Sequence, residues 1–134
     1  MKTALTSFVS FLLLVGFVGG DVIPIGAGKA AAKLKKDPKI VVVDLRTPKE
    51  FFAGHIKGAI NINMNDKNFA AKLGKLDRKK TYLMHCRSGG RSSASLQVWK
   101  RLGFEKVLHL ASGTLGWEKG GQQLEVPKGP AKTK

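Results

Sequence analysis

HCRSGGRS, residues 85–92, holds the only cysteine of this 134-residue chain, and its reading decides the fold. Cys86 follows the apolar run Tyr82, Leu83 and Met84, which reads as a buried strand, and a helix-forming stretch begins at about Ser92. The cysteine therefore sits on a strand-to-helix turn, where backbone N–H groups converge. Gly89 and Gly90 let such a turn curl so that the amides from Arg87 to Arg91 point inward, around Ser88, as a cradle for an anion. The dipole of the following helix reinforces that cradle, and Arg91 is placed to close it. A thiol at a helix N-terminus, between Arg87 and Arg91, has its pKa lowered because the positive surroundings favour the thiolate. Cys86 is thus a candidate nucleophile. A buried structural cysteine needs neither the glycines nor the arginines.

Outward from this loop, strand and helix patterns alternate. Val22, Ile23 and Ile25 make a short first strand, and Ala27 to Lys36 has a good helix composition, ended by Asp37-Pro38. Ile40 to Val43 run without alternation, as in a central parallel strand covered on both faces. Thr47 caps a short helix with Pro48 first and Glu50 third, a capping box. Ala59, Ile60 and Ile62 predict a third strand, and Asp66 to Leu73 a surface helix stopped by Gly74. Beyond Cys86, Ala94, Val98, Trp99 and Leu102 recur at helical spacing as a core stripe, and Val107, Leu108 and Leu110 make a last strand. The expected fold class is α/β, a five-stranded mostly parallel sheet with helices on both faces.

The ends and the charge bound the setting. Lys2, the apolar stretch Phe8 to Val18 and the small residues at 18–20 read as a secretory signal over residues 1–20, too short to span a bilayer. The domain then occupies 21–126 and a basic flexible tail 127–134. A single cysteine makes no internal disulfide, so the thiol is free. His55, His85 and His109 lack ligand-like spacing, so no metal site is expected. The net charge of +15 favours anions, but an exported chain without an aromatic-basic reading motif is not expected to bind nucleic acid.

Two motifs carry a resemblance. Cys86, Gly89, Arg91 and Ser92 match the Cys-x-x-Gly-x-Arg-Ser loop of the rhodanese sulfurtransferases. DLRTPKEFFAGHIKGAININ, residues 44–63, matches their second signature through Asp44, Arg46, Glu50, Phe51, Gly54, His55, Ile56, Gly58 and Ala59. The chain is similar to that family over roughly residues 22–126, and most of all to its small periplasmic members of the phage shock protein E type. The resemblance implies a Cys86 persulfide that takes sulfur from a small anionic donor such as thiosulfate and passes it to a thiol or cyanide, chemistry that requires no cofactor. It also implies an anion-binding loop of Arg87, Ser88, Gly89, Gly90 and Arg91, support from Asp44 and Arg46, and a periplasmic or secreted monomer without stable membrane insertion. Asp44, Arg46, Glu50 and His55 are expected to form a structural ion and hydrogen-bond network rather than to do chemistry. Two other classes remain open, a cysteine-dependent phosphatase or arsenate reductase and a noncatalytic sulfur-carrier module. Only four residues separate Cys86 from Arg91, one fewer than in the phosphatase loop. One departure is Ser112 before Gly113, where rhodaneses usually have two glycines, and it bears on acceptor preference.

Overall fold

The strands are set by their apolar runs, and all of them point the same way. In the computed structural model, which describes residues 20–128, five strands form one sheet in the order β1-β5-β4-β2-β3, each pair parallel. These are β1 (Asp21–Pro24), β2 (Val41–Asp44), β3 (Ile60–Asn61), β4 (Thr81–His85) and β5 (Lys106–His109). The helices between and after them are α1 (Ala27–Lys36), α2 (Pro48–Ala53), α3 (Phe69–Leu73), α4 (Gly90–Arg101) and α5 (Gly113–Lys119). Of the expected signal and tail, only Gly20, Pro127 and Lys128 fall within the described residues.

Alternation along the strands divides the core in two. Val43, Tyr82, Met84 and Val107 face α3 and α4, where Phe69, Leu73, Trp99 and Phe104 cover them. Val42, Leu83, Leu108 and Leu110 face the other way, under Ala30 of α1 and Trp117 of α5. With both faces covered, strands need no polar side, which explains the unbroken apolar reading of residues 40–43.

The order of the strands also places a crevice. The chain moves outward from β2 to β3 on one side and from β4 to β5 on the other, so the loops after β2 and β4 diverge. A ligand site in a parallel sheet lies outside the carboxyl ends of its strands, where the order reverses. Asp44 ends β2 and lies opposite His85 in register, one residue before Cys86.

Three local expectations are corrected. The third helix starts at Phe69, not Asp66, because the Asp66 carboxylate accepts the Asn68 N–H at 2.8 Å and holds residues 66–68 in a turn. It is not a plain surface helix either, since Phe69 and Leu73 are buried. The helix after Cys86 starts at Gly90, two residues early; of its expected stripe Trp99 is buried and Val98 and Leu102 pack on the core, but Ala94 is exposed and Ser92 and Ser95 are buried instead. An apolarity count misses the two serines, of which Ser92 meets the cysteine loop at Cys86 and Gly89. Ser95 remains satisfied there by donating to the Ser92 carbonyl at 2.7 Å.

Candidate active site

Cys86 leaves β4 at the centre of the sheet, buried, with a free thiol. The chain then turns back on itself through Gly89, whose φ of +101° only glycine adopts without strain. A Cβ there would also lie 2.1 Å from the Ala111 carbonyl oxygen. Gly90 differs. It is the first residue of α4, with open space around it, so of the two loop glycines only Gly89 is needed for the curl. On the opposite side the N-terminus of α5 grips the loop, with Thr114 N–H donating to the Cys86 carbonyl at 3.0 Å and Leu115 N–H to that of Arg87 at 3.1 Å. Gly113, at φ +61°, permits that approach, because its Cβ would stand 2.2 Å from the Arg87 oxygen.

This curl brings amides onto the sulfur. Gly89 N–H donates to Cys86 Sγ at 3.1 Å and Ser92 N–H at 3.4 Å. The Ser92 hydroxyl oxygen is also 3.4 Å from Sγ. Burial by itself pushes the thiol up, but hydrogen bonds from the Ser92 hydroxyl and from the amides of Ser92, Gly89 and Ser88 outweigh it, and the pKa falls below its ordinary value. Arg87 and Ser88 are exposed at the mouth.

Arg91 does something other than close the cradle. Its Nη1 and Nη2 each donate to a Glu50 carboxylate oxygen at 2.8 Å, tying α4 to α2. The Arg91 charge reaches the sulfur through space rather than by a bond. The same Glu50 closes the expected capping box, taking the Thr47 N–H at 3.0 Å while Thr47 Oγ1 accepts from Glu50 N–H at 3.3 Å. The Arg91 guanidinium, helped by Thr47, holds the Glu50 pKa at about 2, against an ordinary 4.5. A lowered carboxylate pKa contributes stability that is full above pH 4.5 and is lost as pH falls through about 2. With both side chains nearly a third exposed, that contribution is about 1–2 kcal/mol after screening. Glu50→Gln is expected to lower the urea midpoint at pH 7 and to differ little from the wild type at pH 2. An equal loss at both pH values would show that the ion pair is not the cause.

Asp44 and Arg46 form a second, fully separate pair at the end of β2. Arg46 Nη2 donates to Asp44 Oδ2 at 2.7 Å and to the Gly54 carbonyl at 2.6 Å, and Arg46 N and Nε donate to Asp44 Oδ1 at 3.0 Å. Asn61 Nδ2 donates to the carbonyls of both residues. This pair ties the end of β2 to the α2 turn and to Asn61, and makes no hydrogen bond to the sulfur. His55 stacks on the Phe51 ring and bonds the Phe51 carbonyl at 3.1 Å, again a structural role. His85 points away from Cys86 into the sheet, as strand alternation predicts. Its Nδ1 donates to the Cys86 carbonyl at 2.9 Å, and burial keeps its pKa low despite Asp44 Oδ2, which lies 3.9 Å from Nε2. Sequence reasoning missed His109, whose Nε2 is 2.7 Å from Ser92 Oγ. The missed signal was positional. Residue 109 ends β5, which pairs with the cysteine strand, and its side chain alternates onto the α4 face with Val107.

Comparison with known proteins supplies the family. The family profile described as the rhodanese-like domain matches residues 27–120, most of the chain. The chain belongs to the rhodanese family. A sulfurtransferase of Allochromatium vinosum is 27% identical over 97 residues, covering 72% of this chain and 89% of that protein. A tRNA uridine(34) hydroxylase of Acaryochloris marina is 35% identical over 91 residues, covering 63% of this chain and 29% of that protein. This rhodanese spans between about a third and a half of the length of the first curated relatives it matches. The crystal structure of a rhodanese-related protein from Thermoplasma volcanium superposes with a TM-score of 0.68 at 28% identity, covering 78% of this chain and 99% of that one. The all-parallel five-stranded sheet with helices on both faces is thus the rhodanese-like fold.

Proposed function

We propose that this rhodanese is a sulfurtransferase that moves a sulfane sulfur from a small anionic donor, thiosulfate being the simplest, through a Cys86 persulfide to a thiol or cyanide. The observation that carries the reading is the convergence of Gly89 and Ser92 amides on Sγ, at 3.1 and 3.4 Å. Donors fixed in that way stabilise charge on sulfur without reorganising. In the first step the Cys86 thiolate attacks the outer sulfur of thiosulfate. A Cys–S bond to that sulfur forms, the donor's S–S bond breaks, and sulfite leaves with the electron pair. In the second step the acceptor nucleophile takes the outer sulfur and the Cys86 thiolate is regenerated, a ping-pong cycle. The net positive chain steers the anionic donor in, an effect that weakens with salt. The leader-like segment at residues 1–20 supports an exported protein as the working form.

Intact-mass spectrometry after incubation with thiosulfate tests the reading. The wild type is expected to gain one sulfur atom, Cys86→Ala none, and cyanide to remove the sulfur as thiocyanate. If no sulfur is gained while a phosphate ester is hydrolysed, the thiolate serves phosphatase chemistry instead.

A further inference from the structure

His109 is a buried, titratable side chain for which sulfur transfer as described has no use, yet it makes the shortest contact to the Ser92 hydroxyl behind the cysteine. Its Nε2 is 2.7 Å from Ser92 Oγ, which is 3.4 Å from Cys86 Sγ and 3.1 Å from the Gly89 carbonyl oxygen. A hydroxyl carries one hydrogen, and three acceptors compete for it. The state of His109 decides whether the nearest of them takes it.

We propose that His109 is the positioning residue of the site, acting through Ser92 to hold Cys86 as the thiolate. With hydrogen on Nε2, His109 donates to Ser92 Oγ and no longer competes for the hydroxyl hydrogen, which the Gly89 carbonyl at 3.1 Å and the sulfur at 3.4 Å then contest. A thiolate is the charged and so the stronger acceptor, and the chain runs Nε2–H to Oγ–H to S⁻. With the lone pair on Nε2, the imidazole takes the hydroxyl hydrogen at 2.7 Å and Oγ presents only lone pairs to the sulfur. That arrangement suits the thiol, whose S–H can donate to Oγ, and opposes the thiolate.

The surroundings leave this coupling undisturbed. In register the neighbours of His109 are Pro24 on β1 and Met84 on β4, and its partner on α4 is Ser92. The titratable group that His109 meets in this cluster is Cys86, by way of Ser92. Burial lowers the His109 pKa, so the neutral ring is the resident form, and its tautomer is what the site selects.

The inference rests on Cys86 being the reactive group of the sulfurtransferase proposed above, but its test uses no sulfur donor, so the two can fail separately. The pH dependence of iodoacetamide alkylation reports the thiolate directly. His109→Asn, too short to reach Oγ, is expected to raise the Cys86 pKa and slow alkylation about tenfold below it, which corresponds to about 1.4 kcal/mol. His109→Gln, with an amide N–H near the Nε2 position, is expected to restore most of the rate. In a Ser92→Ala background neither change at 109 should matter. An unchanged alkylation profile in a folded His109→Asn variant overturns the proposal, and so does an equal shift with and without Ser92. Should the Asn variant not fold, nitrogen NMR of the wild-type imidazole decides instead. The Nε2–H tautomer is expected while Cys86 is ionised, and the Nδ1–H tautomer would overturn the relay.

Discussion

Gly89→Ala is expected to unseat the cysteine loop, whereas Gly90→Ala, one residue on, is expected to be tolerated. At position 89 an L side chain faces two separate penalties. A φ of +101° lies in the left-handed region, which costs about 1–2 kcal/mol for a residue with a Cβ. The added carbon would also stand 2.1 Å from the Ala111 carbonyl oxygen, which is backbone and cannot swing aside. Either the β5–α5 connection or the loop must move, and with it the Gly89 amide that bonds the sulfur at 3.1 Å. Together these cost about 3 kcal/mol or more, a fall in Tm of roughly 10 °C or more for a domain of this size. Loading of sulfur on Cys86 should fall at least tenfold in whatever fraction remains folded. Gly113→Ala meets the same obstacle from the other side, its Cβ 2.2 Å from the Arg87 oxygen at φ +61°. Gly90 stands at the first position of α4 with nothing near its Cβ site, so alanine there should leave Tm unchanged or raise it by up to about 1 kcal/mol equivalent. Thermal melts of the three variants check the ranking. A Gly90→Ala variant as damaged as Gly89→Ala would show that loop entropy, not the close approach, controls the site.

Asp44→Asn is expected to be at least as costly. Asp44 is fully buried and Arg46 nearly so, and both oxygens of the carboxylate are taken up by the arginine. Removing the negative partner leaves an uncompensated guanidinium in the interior, a loss of about 3–5 kcal/mol. Arg46 also holds the Gly54 carbonyl at 2.6 Å, so the α2 turn loosens with it. The double change Asp44→Leu with Arg46→Met removes both charges and should recover part of the loss, because the cost lies in the orphaned charge rather than in the missing pair. Urea unfolding of the two variants measures this. If the single variant were within 1 kcal/mol of the wild type, water would have to reach the Arg46 head group.

The elements most legible beforehand were those written in local chemistry. The helix at Ala27–Lys36 and the Thr47–Glu50 capping box were read at their observed positions, since alanine-rich composition and a capping motif act within a few residues of themselves. The strands were legible because four of the five carry a contiguous apolar run, and β3, with only Ile60 and Asn61 paired, was the least defined. The cysteine turn could be recognised from residues 85–92 because the loop that brings amides onto the sulfur is built from contiguous backbone.

The partners of side chains distant in sequence were not legible in this way. Arg91 was expected over the cradle and is bound to Glu50, 41 residues away. Ser92 and Ser95 were not expected in the core, and His109 was not expected behind the sulfur. A hydrogen bond between residues 92 and 109 leaves no periodic signal in either segment, because it depends on how far α4 tilts over β5. By itself, then, the sequence determined the parallel sheet, the curled loop and the place of its one thiol, all of which follow from short-range propensity and the apolar period. Tertiary structure alone decided which charge faces which, which of two adjacent glycines is indispensable, and which histidine reaches the site, because those are set by packing distances between elements.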